Sequence, residues 1–196
     1  MRVVDRTRGF VRAFGSARRH RSDLVGWLGR RPQVLVGTGV YESALLFSNA
    51  LDPKLKELAE LKTAGLVGCE FCLDIGSALA RSSGVTEAQM RDLPVFADSA
   101  AYDDLEKLVL AFAAAMTATP AVAGDLARIR DELAQHLSNK QITELAATIA
   151  WENQRARLNQ GLGVRPTGMS DGAACALPET RPAAHRLSLI HISEPT

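Results

Sequence analysis

The feature that most constrains this chain is a pair of cysteines placed directly after a glycine-interrupted helical segment. A run of leucines at helical spacing stops at Gly65 and Gly68, and Cys69 and Cys72 follow at once. Glycine in such a position ends a helix and allows the chain to reverse, which predicts a helical hairpin. Two thiols three residues apart at a helix start share one face, where free backbone N–H groups favour a thiolate. The spacing favours redox chemistry, and the alternative is two small buried apolar side chains.

Helical periodicity extends over almost the whole chain, without any segment of alternating strand pattern. Three helix starts are predicted by their capping residues: Asp52 with Pro53, Thr86 with Gln89, and Ser138 with Gln141. Residues 32–49 are predicted to form one or two helices packed on the others. Further helices are predicted from 53 to the glycines, from 69 to about 82 and over a short stretch before Pro94. The apolar stripes at 105–116 and 122–137 predict two more, and the last helix is predicted from 139 to Gly161 or Gly163. The sequence therefore predicts an all-α bundle in a single helical domain.

Length and composition bound the function. The chain has 196 residues, of which 46% are hydrophobic, and its charges are mixed, as in a soluble globular domain. Three cysteines do not form a secreted multi-disulfide framework and favour a cytoplasmic protein. An apolar run of about 20 residues, as a membrane span requires, is absent. The sequence has no nucleotide-binding glycine fingerprint and no second metal-ligand pair, so we expect neither a bound cofactor nor a metal.

The two ends of the chain differ from its middle. Residues 1–31 carry nine arginines against two aspartates and predict a basic N-terminal helical arm. This arm is expected to dock on its own domain or on an oligomer partner, with nucleic acid or an anionic membrane as the alternative. The helical domain is predicted to cover 32–165 and an irregular segment 166–186. Residues 187–196 (LSLIHISEPT) resemble a translated sequencing adapter and are predicted to be a non-native tail.

Two segments carry a resemblance to a known family. Residues 57–72 (ELAELKTAGLVGCEFC) resemble the core motif of the carboxymuconolactone decarboxylase superfamily in its alkylhydroperoxidase D-like branch, and residues 145–159 (LAATIAWENQRARLN) resemble its closing helix. The resemblance implies an all-helical subunit that forms a trimer, dimer or hexamer. It also implies peroxidase activity through a Cys69/Cys72 dithiol–disulfide cycle, with a hydroperoxide substrate and a thiol or dithiol protein as reductant. Nucleic acid is not an expected partner.

Glu57 is the third residue that the resemblance marks, because a glutamate precedes the first cysteine by twelve residues in this branch. On one unbroken helix this spacing would separate Glu57 from Cys69 by about 18 Å, but a hairpin at the glycines brings the Glu57 level alongside the turn after Cys72. Glu57 is therefore predicted to accept a proton as a cysteine becomes a thiolate. The alternative is an ordinary solvated acid in the first turn of a helix.

One position departs from the family pattern. The peroxidase members have a histidine four residues after the second cysteine, where this chain has Gly76, and Gln160 stands where many relatives have histidine in the closing helix. Asp74 is expected to face another side of the helix and to be a poor substitute. We predict a ring-sized gap at Gly76 that holds water, together with a low peroxidase rate.

Several assignments stay open. We favour Cys72 as the thiol that attacks peroxide, with Cys69 resolving from a more exposed helix start. Cys175 is expected to be a loop or packing cysteine, and Arg155 and Arg157 are expected to form structural salt bridges. The alternative functions are a helical scaffold that has lost catalysis and acts as a redox sensor or small-molecule binder, and a lactone decarboxylase, which would not require a thiol pair.

Overall fold

The architecture is known from a computed structural model, which describes residues 15, 19–20, 23–121 and 123–179. Within these ranges the chain forms α-helices and one short 3-10 turn, Leu93–Val95, and contains no strand. The helices are α1 (Asp23–Leu28), α2 (Pro32–Phe47), α3 (Pro53–Val67), α4 (Glu70–Ser82), α5 (Glu87–Asp92), α6 (Asp104–Thr117), α7 (Ala123–Leu133) and α8 (Asn139–Gly161). The predicted all-α class is confirmed.

Local capping explains where these helices begin. The Asp52 carboxylate accepts a hydrogen bond from Lys54 N at 2.9 Å, and Pro53 occupies the first helical position of α3. The two predicted capping boxes, Thr86 with Gln89 and Ser138 with Gln141, are both formed. The sequence did not predict the third box, in which Asp103 caps α6 together with Glu106.

Helix α3 lies at the centre of the bundle and packs against α4, α6 and α8. Its apolar side chains contribute to two cores on opposite sides. One core surrounds the cysteines and includes Leu58, Leu61, Leu73 and Leu110. The other lies between α3, α6, α7 and α8 and includes Leu55, Val109, Phe112, Leu133, Leu145 and Ile149. This arrangement fixes α3 and makes it a rigid support for the turn that follows it.

Helix α2 differs from the prediction that residues 32–49 pack on the other helices. It forms one helix, Pro32–Phe47, but none of its residues is buried. Six large apolar side chains on it are 38–64% exposed: Val34, Leu35, Val36, Val40, Tyr41 and Phe47. The predicted packing is formed on one side only, where Tyr41 stacks on Trp151 and Glu42 pairs with Arg155. The other apolar side chains of α2 stay exposed, because they are distributed around the helix rather than along one side.

Some predictions fall at the edges of the described chain. The Arg-rich arm lies mostly, and the 187–196 tail entirely, outside the described residues, and the domain limits stay predictions. Residues 164–179, which we call the C-terminal segment, contain no helix. Among the described residues, no helix is both long and apolar enough to cross a bilayer.

Candidate active site

The turn between α3 and α4 presents the two cysteines. Gly68 adopts the left-handed conformation (φ 80°), and its N–H donates to Ala64 O at 2.8 Å. Cys69 N also donates to Ala64 O, at 3.0 Å, so the end of α3 is closed by a double cap. Cys69 then becomes the N-cap of α4, and its Sγ accepts the N–H of Cys72 at 3.2 Å. A residue with a Cβ at position 68 would be strained, which explains why glycine precedes the pair.

The two sulfurs are joined in a disulfide, with the Cα atoms 5.3 Å apart. Both residues are buried: Cys69 is 2% exposed and Cys72 is 8% exposed. The prediction that Cys69 lies at the more exposed helix start is therefore wrong, because its side chain turns inward to cap α4. The structure thus brings the two predicted site cysteines together and leaves Cys72 as the more accessible of the two.

The last two turns of α8 contribute two amides beside the cysteines. Asn159 Nδ2 donates to Cys72 Sγ at 3.5 Å, and Asn159 is only 1% exposed. Gln160 Nε2 donates to Val67 O at 2.9 Å, on the other side of the turn. Asn159 was not among the site residues predicted from the sequence. Its position seven residues after Glu152 could have identified it, because this spacing places both residues on the inner face of α8.

The contact between α3 and α4 determines what stands at Gly76. A side-chain carbon at Gly76 would lie 3.0 Å from Leu61 Cδ2, so Leu61 occupies the space next to the glycine. The predicted ring-sized gap is therefore wrong, because a neighbouring leucine has filled the volume that a histidine ring would need.

The same contact sets the position of Glu57, which is buried at 4% exposure. Glu57 lies one turn before Leu61 on α3, and Cys72 lies one turn before Gly76 on α4. Because the chain reverses between the two helices, this register separates the levels of Glu57 and Cys72 by on the order of 10 Å along the helix axes. Glu57 is a buried carboxylate on α3, nearer to the level of Gly76 than to that of the sulfurs.

Asp74 has a structural role that the sequence did not predict. Its carboxylate accepts six hydrogen bonds of 2.6–3.1 Å from Thr167, Gly168, Met169 and Ser170, four from backbone N–H groups and two from hydroxyls. Burial by itself would raise the pKa of Asp74, but these hydrogen bonds outweigh it and lower the pKa below its usual value. Asp74 therefore anchors the C-terminal segment as a carboxylate. This role agrees with the expectation that Asp74 faces another side of α4 than the sulfurs do.

The C-terminal segment covers the side of α4 that carries Asp74. Ala176 N donates to Ser77 Oγ at 3.0 Å, and Ala176 packs in the same apolar cluster as the two cysteines. At the end of the segment, Glu179 forms an ion pair with the buried Lys62 at 2.7 Å. The C-terminal segment thus packs on the same apolar cluster that holds the cysteine pair.

Cys175 is a free, half-buried thiol in the C-terminal segment, as predicted for a loop cysteine. Its Sγ lies 3.8 Å from Leu73 O. It lines an open pocket of about 420 Å³, whose walls also include Arg19, Glu70 and Asp171. The pocket lies beside the first turn of α4.

A charged cluster, half-buried apart from the fully buried Glu152, lies where α2, α3 and α8 meet. Arg155 contacts Glu152, Glu42 (2.9 Å) and Glu60 (3.5 Å), which confirms its predicted salt-bridge role. Arg157 instead bonds to Asn153 of its own helix. Burial raises the pKa of Glu152 to about 7; Arg155 opposes this shift, while Glu60 and Glu42 add to it. The Arg155 guanidinium thus forms ion pairs with three carboxylates.

Oxygen and sulfur ligands do not converge on a metal-binding arrangement in the described part of the chain: no group of three or more His, Cys, Asp or Glu side chains is suitably placed. The candidate site therefore consists of the two sulfurs and the buried polar groups around them.

Comparison with known proteins shows the family to which the chain is related. The sequence profile of the Carboxymuconolactone decarboxylase family matches residues 37–123, which include both cysteines. The uncharacterized protein YnjA of Escherichia coli (strain K12) is 31% identical over 174 residues, covering 84% of this chain and 88% of YnjA. The uncharacterized protein YdfG of Bacillus subtilis (strain 168) is 26% identical over 121 residues, covering 60% and 79%.

Solved structures share the fold at lower identity. The debrominase Bmp8 without ligand has a TM-score of 0.66 at 22% identity, covering 85% of this chain and 87% of Bmp8. A cysteine-to-alanine variant of Bmp8 in complex with 2,3,4-tribromopyrrole has a TM-score of 0.64 at 24% identity, covering 72% and 75%. A protein of unknown function from Agrobacterium tumefaciens, proposed to be an AhpD-type antioxidant defence protein, has a TM-score of 0.63 at 22% identity, covering 71% and 94%. With its helical fold and its motif at residues 57–72, the chain belongs to the carboxymuconolactone decarboxylase family.

Proposed function

We propose that the chain is a thiol-dependent oxidoreductase that reduces hydroperoxides through a dithiol–disulfide cycle of Cys69 and Cys72. The observation that carries this proposal is the disulfide across the first turn of α4, closed over a Cα–Cα distance of 5.3 Å. The likeness to a protein proposed to serve antioxidant defence agrees with it at the level of the fold.

In the oxidising half of the cycle, the Cys72 thiolate attacks the distal oxygen of the hydroperoxide. The O–O bond breaks, Cys72 becomes a sulfenic acid, and the alkoxide leaves as an alcohol after it takes up a proton. The Cys69 thiolate then attacks the Cys72 sulfur, the disulfide forms and hydroxide leaves as water. Cys72 is assigned the first attack because it is the more exposed of the two, at 8% against 2%.

In the reducing half, a dithiol protein attacks Cys72, the disulfide breaks, and Cys69 leaves as a thiolate. The Cys72 N–H that donates to Cys69 Sγ at 3.2 Å stabilises this leaving group, as does the positive end of the α4 dipole. The second thiol of the reductant then attacks the reductant's own sulfur in the mixed disulfide, so that Cys72 leaves as a thiolate and the reductant becomes a disulfide. The low exposure of the pair means that a protein reductant gains access to it by displacing the covering chain.

Glu57 is the proton acceptor in this proposal. It is a carboxylate, it is buried, and it lies on the helix that packs against α4. Because its level differs from that of Cys72 by on the order of 10 Å, the proton passes through water or intervening groups rather than directly. Leu61 at Gly76 narrows this route, so we expect a slow peroxidase.

The test is hydroperoxide consumption by the purified protein in the presence of a dithiol reductant. We expect Cys69→Ser and Cys72→Ser to abolish turnover, Glu57→Gln to lower it at least tenfold, and Cys175→Ser to keep it. Turnover that survives both active-site serine variants would overturn the proposal. Gly76→His combined with Leu61→Ala, which makes room for the ring, is expected to raise the rate.

A second candidate function is thiol-dependent dehalogenation, which the debrominase Bmp8 suggests because it shares the fold. Gly76 gives this alternative weight, because the chain lacks at that position the imidazole that peroxide chemistry uses in the family, and Leu61 packs there instead. A brominated pyrrole assayed beside a hydroperoxide separates the two activities. If neither is consumed while the thiols stay reducible, the chain is a redox-sensing scaffold.

We also propose that the subunit forms a homo-oligomer through the exposed apolar side chains of α1 and α2. Trp27 of α1 is 44% exposed, and Val36 and Val40 of α2 are 63% and 64% exposed. Contiguous exposed apolar side chains on adjacent helices are typical of subunit interfaces. A second copy of this chain is the expected occupant.

A further inference from the structure

The two sulfurs of the candidate site have different hydrogen-bond donors. Cys69 Sγ accepts the backbone N–H of Cys72, a donor that α4 provides whatever the side chains are. Cys72 Sγ accepts a side-chain N–H from Asn159, which belongs to α8, 87 residues further along the chain. The Cys69 donor is thus local and is kept in every substitution except one to proline, whereas the Cys72 donor comes from another helix and depends on one residue.

The surroundings hold the Asn159 amide in place. Asn159 is 1% exposed, and Ala156, one turn earlier on α8, is fully buried in the apolar cluster that contains both cysteines. The next residue, Gln160, ties α8 to the end of α3 through its bond to Val67 O at 2.9 Å. The donor therefore approaches the sulfur from a rigid helix and with little competition from water.

We infer that Asn159 is a positioning residue that holds the Cys72 sulfur and stabilises its thiolate once the disulfide is opened. An amide N–H bonds only weakly to a neutral sulfur, but the bond becomes charge-assisted when the sulfur carries a negative charge. In this chain Asn159 provides part of the stabilisation that a histidine provides in family members where this chain has Gly76. The inference deepens the proposed function and rests on it for its biological meaning.

The test measures each thiol by itself, in variants that also carry Cys175→Ser, because Cys175 is a free thiol that would absorb as well. With Cys69→Ser added, the pH dependence of thiolate absorbance at 240 nm reports on Cys72. With Cys72→Ser added instead, the same measurement reports on Cys69. Asn159→Leu keeps approximately the shape of the side chain and removes the donor, and Asn159→Asp keeps the shape more closely but places an acceptor and a negative charge beside the sulfur.

We expect Asn159→Leu to reduce the thiolate fraction of Cys72 at neutral pH about tenfold and Asn159→Asp to reduce it further, with Cys69 unchanged in both. Gln160→Ala is the matched control, because it removes the neighbouring amide without touching the sulfur. It is expected to lower the melting temperature and to leave the pKa of both thiols unchanged.

An unchanged pKa of Cys72 in both Asn159 variants would overturn the inference. A shift that also appears for Cys69, or equally in Gln160→Ala, would show general loosening of the turn and would overturn it as well. Because these measurements do not require turnover, a failure of the proposed peroxidase activity is recognised separately, as absent hydroperoxide consumption by the wild-type protein.

Discussion

Two regions of this molecule reverse the usual distribution of polarity. Helix α2 exposes apolar side chains, with Val36 and Val40 both more than 60% exposed. The seam between α3 and α8 buries charged ones, and we define this α3–α8 seam by the buried Lys56, Glu144 and Glu152 together with the half-buried Arg155. Exposed apolar side chains and buried charged side chains both carry a free-energy cost, unless another group contacts the side chain and offsets that cost.

The two regions differ in where the groups that offset this cost lie. In the seam the partner is internal: Lys56 Nζ lies 2.6 Å from Glu144 Oε1, and Glu144 also accepts the N–H of Ala50 at 2.8 Å. On α2 no residue is buried within the subunit, and the partner proposed for its exposed apolar side chains is a second copy of this chain. The seam is therefore expected to determine the stability of the subunit, and α2 its assembly.

The largest expected effect comes from breaking the Lys56–Glu144 pair. Lys56→Met keeps the apolar stem and leaves Glu144 as an uncompensated buried charge, which is expected to cost about 3–5 kcal/mol of unfolding free energy. Adding Glu144→Gln should recover part of this loss. Urea denaturation provides the measurement, and Arg128→Met, which removes an exposed ion pair with Glu132, is the control with an expected cost of at most about 0.5 kcal/mol. Equal losses in Lys56→Met and Arg128→Met would refute the comparison.

The next effect concerns Asp74, a buried carboxylate outside the seam. Asp74→Ala removes the acceptor of six hydrogen bonds and is expected to cost about 2–4 kcal/mol. We expect protease cleavage within residues 164–179 and faster reduction of the disulfide by a dithiol. Asp171→Ala, which removes the exposed pair with Arg19 in the same segment, should change neither measurement. Unchanged disulfide reduction in Asp74→Ala would show that the segment does not cover the pair.

A smaller effect is expected from the titration of Glu152. Burial, with Glu60 and Glu42 adding to it against Arg155, raises its pKa from 4.5 to about 7, so the folded state holds a proton that the unfolded state has lost. The stability of the wild-type protein should therefore fall as the pH rises from 4.5 to 7, by on the order of 1 kcal/mol per pH unit at most. Glu152→Gln, with no titrating group, should flatten this slope in urea denaturation at several pH values. Parallel profiles for the two proteins would remove Glu152 as the cause.

The features that the sequence predicted are those decided locally. The start of α3 at Asp52 and Pro53, and the helix reversal at Gly68, follow from capping and glycine preferences within a few residues. The cysteine pair was recognised from its spacing for the same reason. Helix bounds and the proximity of the two thiols were therefore predictable without knowledge of the tertiary structure.

The features that the sequence did not predict depend on contacts between distant segments. Asn159 meets Cys72 across 87 residues, and Asp74 meets the C-terminal segment across more than 90. The gap at Gly76 was predicted incorrectly because it depends on the side chain that faces the glycine, and only the α3–α4 register identifies that side chain as Leu61. The local sequence pattern does not determine how α3 and α4 align with each other.

The smallest change in subunit stability, and the sharpest test of α2, is expected from Val36→Lys with Val40→Lys. Both side chains are exposed in the subunit, so their replacement should change its unfolding free energy by at most about 0.5 kcal/mol. A charge at each position should nevertheless prevent apolar contact with a second copy, and sedimentation should show smaller particles than for the wild type. Val95→Lys, at an equally exposed valine on the 3-10 turn, is the matched control and should sediment as the wild type does. If the double variant sediments as the wild type does, α2 is not the assembly surface, and its exposed valines call for a different partner.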